Sequence, residues 1–395
     1  MKVLKVIHGF PPDYMAGSEV YSYHLVKELK EQNIEVFVYT RVENEFDENY
    51  KIYDEVINDI NVRRINKPKR DYLYEDKFFD EDVDKHFTNY LKEIKPDIVH
   101  FGHLSHLSTN LIKIVHEFKI PIVYTIHDFW LYCVKGQLIN ENGEICEGPN
   151  ICRCLDCSPY VVNNKKIEVV AKHMKDIISY IDVFISPSKT LRDFFIKQGI
   201  SPAKIKYYKY GFNKEKIKYQ KKIYSKKSKI NFGFMGRIIP TKGIKVLVEA
   251  FTKLNNEMLS IYGSVGKQKR FLETDNIRFR GPFNNDNIND VLNDIDVLIV
   301  PSIWYENAPL VMQEAFLAGI PVLTSNIGGM KELVEDGVNG FLFKVGDSKD
   351  LIDKITSITS NPEILNTLNV DRDSVVDIKD DAAKLIKVYN NLLNS

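Results

Sequence analysis

Apolar residues in this chain come in short, nearly unbroken runs, separated by stretches where they return every three or four positions. In the first half the runs Lys2–His8, Glu35–Thr40, Ile98–Phe101, Ile122–Ile126 and Val183–Ser186 read as strands. Several are apolar almost throughout, as expected of strands covered on both faces of a parallel sheet. Over Ser18–Gln32, Val20, Tyr23, Leu25, Val26 and Leu29 keep a helical spacing, so the chain opens as a strand–helix–strand unit. The second half repeats the scheme. Strands are expected at Ile230–Met235, Met258–Tyr262, Ile277–Arg280, Val297–Val300, Pro321–Thr324 and Gly340–Phe343. Helices are expected at Gly243–Leu254, Pro309–Leu317 and Met330–Glu335, and a last one over Asp380–Leu393.

The pattern predicts an α/β chain of two doubly wound units, which suits a length of 395 residues at about 150 per domain. The expected division is 1–212 for the first unit, 213–229 for a Lys-rich connection, 230–379 for the second unit and 380–395 for a terminal helix. The stretch NKEKIKYQKKIYSKKSK at 213–229 fits either a basic patch facing phosphates or lipid headgroups or a solvated linker. The linker is the simpler reading.

Charge narrows the partners. The 54 Lys and Arg balance 54 Asp and Glu, so no global field attracts nucleic acid or an anionic membrane. No run approaches the 18 apolar residues of a membrane span, and the start lacks a signal-peptide cleavage region. A cytoplasmic protein is expected, with room for peripheral docking at the inner face of a membrane.

Four segments carry candidate chemistry. Gly236-Arg-Ile-Ile-Pro-Thr-Lys-Gly243 follows a strand and opens a helix. Gly236 permits a tight turn, Arg237 offers a planar fork for phosphate oxygens and Lys242 adds a point charge beside the unpaired N–H groups of a helix start. An ordinary turn with solvated charges is the alternative. Glu306-Asn-Ala-Pro-Leu-Val-Met-Gln-Glu314 follows the strand Val297–Val300, where open α/β sheets bind ligands. Pro309 suits a first helical position, and Glu314 is a carboxylate in an apolar helix that a ribose diol would satisfy. The loop Gly9–Glu19 sets Gly17 and Ser18 at a helix start without the GxGxxG spacing. His127-Asp-Phe-Trp130 follows the strand Ile122–Ile126, where an imidazole can meet a substrate hydroxyl or be bonded structurally to Asp128 or to backbone.

Together these segments resemble the retaining glycosyltransferases of family 4, which have the fold called GT-B. The resemblance rests on G-R-x-x-x-x-K-G at 236–243, on the glutamates at 306 and 314, on Pro301–Ala315 and on Ile327–Gly340. It covers essentially the whole chain and is strongest over 230–345. It implies two Rossmann-like domains facing a central cleft. It implies that Gly236, Arg237 and Lys242 hold the donor diphosphate, with backbone amides near Leu310 and Val311, and that Gly17 nears the β-phosphate. Glu314 would bind ribose hydroxyls, Glu306 hydroxyls of the donor sugar, and His127 the transferred sugar. The donor would be a nucleotide-diphosphate sugar, the acceptor a glycan or lipid-linked glycan, and no catalytic metal would be needed. The resemblance also implies that the terminal helix crosses back onto the first domain. A nucleotide-sugar epimerase of the same fold, or an inactive regulatory homologue, is the competing reading.

All five cysteines, Cys133, Cys146, Cys152, Cys154 and Cys157, lie within one stretch. Cys154-x-x-Cys157 is a common half of a tetrahedral zinc site. Cys133 with Cys146 would complete a structural site, with Cys152 as an alternative ligand. Similar cysteine-bearing insertions occur in some of the resembling proteins.

Overall fold

The computed structural model describes residues 1–67, 74–140, 142–149, 154, 157, 164–254, 256–264, 274–283 and 287–395. The chain divides into two compact units, Met1–Phe212 with Asp377–Ser395, and Asn213–Val376.

The first unit holds strands β1 (Lys2–Val6), β2 (Glu35–Val42), β3 (Ile52–Ile57), β4 (Ile60–Asn66), β5 (Ile98–Phe101), β6 (Ile122–Thr125), β7 (Val183–Ser186) and β8 (Ile205–Tyr207). Its helices are α1 (Gly17–Glu31), α2 (Glu81–Ile94), α3 (Asn110–Glu117), α4 (Asn164–Ser179) and α5 (Lys189–Lys197). The sheet order is β3-β4-β2-β1-β5-β6-β7-β8. Every pairing is parallel except β3 with β4. Strands β5, β6 and β7 are buried at every residue, as the unbroken apolar runs require.

The second unit holds β9 (Asn231–Met235), β10 (Met258–Tyr262), β11 (Ile277–Gly281), β12 (Val297–Val300), β13 (Val322–Ser325) and β14 (Gly340–Phe343). Its helices are α6 (Ile244–Thr252), α7 (Ile288–Asn293), α8 (Leu310–Ala318), α9 (Gly328–Leu333) and α10 (Ser348–Ser360). The sheet is wholly parallel in the order β11-β10-β9-β12-β13-β14. Phe232, Leu247, Phe251, Leu259, Val297, Ile299, Leu323, Leu351 and Ile355 form its core. The Lys-rich stretch from Asn213 lies in this unit, where Lys222 Nζ bonds the Asp296 carboxylate at 3.0 Å and the Ile295 carbonyl at 2.9 Å.

The last helix, α11 (Ile378–Leu393), belongs to the first unit. It turns Ile378, Ala382, Leu385, Val388 and Tyr389 inward. Each sheet changes winding direction once, between β1 and β5 in the first unit and between β9 and β12 in the second. A crevice at the carboxyl ends of the strands opens at such a point, and loops that leave there are free to hold ligands.

Candidate active site

In the second unit the two motifs occupy the strand ends on either side of the winding change. After β9 the backbone turns at Gly236, with φ of 141°, a conformation that L side chains rarely adopt. Arg237 follows, exposed, its carbonyl accepting from the Ile239 amide at 3.1 Å and its guanidinium making no hydrogen bond or ion pair among the described residues. The turn Pro240–Lys242 leads to Gly243, with φ of 72°, at the start of α6. A Cβ on Gly243 would lie 1.8 Å from the Pro301 carbonyl oxygen. Only glycine therefore lets the loop after β12 pack against this helix start.

That loop brings Glu306 onto Lys242. Glu306 Oε1 accepts from Lys242 Nζ at 2.5 Å, from Ser302 Oγ at 2.8 Å and from Trp304 Nε1 at 2.9 Å. Ser302 and Glu306 are buried, so the carboxylate is desolvated and needs these donors. Residues far apart in sequence thus share one charge-balanced cluster. On the other side, the Gly329 amide donates to the Glu306 carbonyl at 2.8 Å, and a Cβ on Gly329 would lie 1.5 Å from the Asn307 carbonyl oxygen.

Helix α8 starts at Leu310, and Pro309 is its N-cap rather than its first residue. Leu310 and Val311 are half-buried in its first turn. Unpaired amides there carry the positive end of the helix dipole. Glu314 follows one turn later within the helix, and its carboxyl makes no hydrogen bond or ion pair among the described residues. Burial pushes its carboxyl up to about 7.

In the first unit, the loop after β1 is held by Arg64. Its guanidinium donates to the Phe10 carbonyl at 3.1 Å and the Pro11 carbonyl at 2.7 Å. The loop delivers Gly17 to the exposed start of α1, after the N-cap Ala16. Glu19, two residues on, is buried and bonds His8 Nε2 at 3.1 Å and Ser18 Oγ at 2.8 Å. Burial works to raise the Glu19 carboxyl, but the His8 and Ser18 contacts prevail and hold it at about 2. The His8 ring lies 4.6 Å from that of His103, whose Nε2 is 3.2 Å from Asp128 Oδ2.

His127 stands just beyond β6. Its Nδ1 and the Tyr210 hydroxyl lie 2.6 Å apart. Asp128 turns the other way, to His103 and to the Trp130 amide at 2.8 Å, so the expected alternative pairing of His127 with Asp128 does not form. Burial, joined by the charges of Lys5 and His103, keeps His127 well below the usual imidazole range, so the ring is neutral near pH 7.

The cysteines correct an expectation. Among the described residues no three His, Cys, Asp or Glu side chains are grouped to hold a metal ion. Cys133, Cys146, Cys154 and Cys157 form no disulfide, and Cys152 lies outside the described residues, so the expected structural zinc site finds no support. Burial, with the neighbouring Cys154, Cys133 and Cys146, raises the Cys157 thiol, which favours protonation. Cys146 spends its hydrogen on the Gly148 carbonyl at 3.1 Å.

In the first unit, His8 beside Glu19, Tyr210 beside His127 and Asp381 beside Tyr21 make polar contacts that the sequence reading assigned to none of them. Two of them carried a usable signal: His8 ends the first strand, and Glu19 falls in the first turn of the first helix.

Residues 15–215, just over half of the 395-residue chain, match the family described as Glycosyltransferase Family 4. Residues 214–370 match the one described as Glycosyl transferases group 1. An uncharacterized glycosyltransferase of Methanocaldococcus jannaschii is 26% identical over 356 residues, 86% of this chain and 84% of its own length. A protein of the cps region of Klebsiella pneumoniae is 23% identical over 64% of this chain, and the match spans 63% of its length. The capsular polysaccharide biosynthesis glycosyltransferase CapM of Staphylococcus aureus is 29% identical over 37% of this chain and 41% of its own. Among solved structures, sucrose-phosphate synthase from Thermosynechococcus elongatus superposes with a TM-score of 0.75 at 17% identity, over 100% of this chain and 99% of that one. Anabaena HepE in complex with UDP and glucose superposes with a TM-score of 0.69 at 17% identity, over 99% of this chain and 100% of that one. With two Rossmann-like units, solved structures of like fold and family matches from residue 15 to residue 370, the chain belongs to Glycosyltransferase Family 4.

Proposed function

We propose that this protein is a retaining glycosyltransferase that moves a hexosyl unit from a nucleotide-diphosphate sugar to a hydroxyl of a glycan or lipid-linked glycan, without a catalytic metal. The observation that carries this reading is the meeting of Lys242 and Glu306 at 2.5 Å, with Arg237 exposed in the same loop as Lys242. Arg237, Lys242 and the first-turn amides of α8 near Leu310 and Val311 supply fixed positive charge for a leaving diphosphate, the role a divalent cation takes in other transferases. Glu314 is assigned to the ribose hydroxyls, which would satisfy its buried carboxyl. Glu306 is assigned to the donor sugar, Gly236 and Gly17 to close backbone approach at the phosphates. His127 is assigned to the transferred sugar. As a neutral imidazole it exchanges hydrogen bonds with hydroxyls, and it orients more than it titrates.

Retention follows from attack on the same face as departure, with the leaving phosphate oxygen taking the acceptor proton, so no dedicated carboxylate base is required. The relatives point to surface polysaccharide as the setting, since CapM is a capsular polysaccharide biosynthesis glycosyltransferase. Uridine nucleotides are the first donors to try, because the HepE structures hold UDP and UDP-glucose.

The test is transfer from a panel of nucleotide sugars in the presence of EDTA, with the anomeric configuration of the product read by proton NMR. The expected product keeps the donor's configuration. Lys242→Ala is expected to lower turnover by ~10² or more. An inverted product would reject retention, and an unchanged rate in Lys242→Ala would remove Lys242 from the diphosphate.

A further inference from the structure

The inward face of α11 carries two polar groups among its apolar ones: Asp381 and Tyr389 are buried with 1% and 0% exposure. A buried carboxylate costs free energy unless donors reach it. Two do. Asp381 Oδ2 accepts from the Tyr21 hydroxyl and from the Gly211 amide, each at 2.9 Å. A Cβ on Gly211 would lie 2.6 Å from Ile378 Cα and 2.7 Å from Asp381 Cβ, so only glycine lets the helix come this near. The Ile378 amide also donates to the Phe212 carbonyl at 2.9 Å. The segment Tyr210–Phe212 is thereby clamped to the first turn of α11 from both sides of Gly211.

Tyr210 projects from that clamp. Its ring packs 4.1 Å from the ring of Tyr21, which Asp381 holds by the hydroxyl. Its own hydroxyl reaches His127 Nδ1 at 2.6 Å. The second polar group follows a parallel route. Tyr389 Oη lies 2.6 Å from His100 Nδ1, and His100 Nε2 lies 2.7 Å from Thr125 Oγ1, at the end of the strand that carries His127.

We propose that Tyr210 and Asp381 are positioning residues for His127: Tyr210 fixes the ring orientation and tautomer through Nδ1, and Asp381 fixes Tyr210 through Tyr21 and Gly211. The catalytic part of this inference rests on the assignment of His127 to the transferred sugar. An imidazole has two chemically distinct nitrogens, and the hydrogen bond made by one decides what the other can offer. Without the Tyr210 hydroxyl the ring loses the contact at Nδ1 that favours one tautomer.

The experiment uses the full chain labelled with ¹⁵N-histidine, read by long-range proton–nitrogen correlation, which distinguishes the two neutral tautomers. In the wild type His127 should hold a single tautomer. Tyr210→Phe removes one oxygen and leaves the ring packing, and should give a mixture of tautomers or the opposite one. It should lower kcat roughly 10-fold or more while donor KM and nucleotide affinity stay within about twofold. Asp381→Ala should reproduce both effects. Asp381→Asn, whose amide oxygen still accepts from Tyr21 and Gly211, should restore them. An unchanged His127 tautomer and kcat in Tyr210→Phe would overturn the proposal. So would an Asp381→Ala protein with lowered stability and unaltered His127 signals. If Asp381→Ala does not fold, Tyr210→Phe decides alone. A wild type that transfers no sugar counts against the functional reading, while the tautomer measurement still decides the positioning.

Discussion

Glu314 is a carboxyl of the second unit shifted by burial alone, with no charged partner among the described residues. Burial raises its carboxyl to about 7, so near pH 6 the unliganded site is mostly protonated. Two ribose hydroxyls donating to the carboxylate would favour the ionised form and release that proton on binding. Nucleotide affinity should therefore rise with pH, by up to ~10-fold per unit below about pH 7, and level off above it. Calorimetry between about pH 5.5 and 8.5 reads the slope. Glu314→Gln should bind more weakly and lose the part of the slope that belongs to this group. An equal slope in the variant would take Glu314 off the ribose. Glu314, Lys242 and Glu306 were legible as candidates because their motifs set charged residues at strand ends and in an apolar helix. The direct bond between Lys242 and Glu306 was not legible, since it depends on how the loop after β12 folds. Asp381 belongs to no motif of the sequence, and the approach of Gly211 makes it a buried anchor.

At the scale of elements, the parallel strands were easy to find because they are buried on both faces and read as apolar runs. The hairpin of β3 and β4 was missed. It lies at the sheet edge, where the consecutive charged pairs Asp54-Glu55 and Arg63-Arg64 interrupt the apolar runs and dilute the signal. Its turn residues Asn58 and Asp59 have φ of 48° and 64°, the turn chemistry that marks a two-residue hairpin. Glycines are the other element-scale determinant. Gly243→Ala would add left-handed strain and drive a Cβ onto the Pro301 carbonyl, whereas Gly337, with φ of 77°, has nothing within 4 Å of its added Cβ. Gly337→Ala should cost ~1–2 kcal/mol from strain alone. Gly243→Ala should cost at least ~2 kcal/mol more, because backbone must move. Urea midpoints of the two variants measure the difference. Equal losses would mean that the contact between α6 and the loop after β12 is not tight in solution.

At the scale of the molecule, the second unit is one continuous stretch, Asn213–Val376, with its own core, whereas the first is closed by the distant segment Asp377–Ser395. The fragment 213–376 should therefore fold alone and bind nucleotide. The fragment 1–212 should be unstable, having lost Asp381 and the apolar face of α11, and a peptide of residues 377–395 should restore it. Circular dichroism melts with and without the peptide check this. A 1–212 fragment as stable as the whole would deny α11 its structural part. The repeat of strands and helices made the two-unit plan legible in sequence. Among the described residues no group of ligands supports the zinc site expected from the cysteine cluster, because clustering in sequence does not fix thiol geometry. The claim on which the account depends is that the second unit holds a nucleotide diphosphate through cations and amides of its own. The most direct measurement is the thermal stability of the full chain with UDP, GDP or ADP in EDTA. A nucleotide at about 100 times its dissociation constant should stabilise the fold by ~2.7 kcal/mol, and one of the three should do so selectively and lose the effect in Lys242→Ala. No shift with any of them would contradict the account.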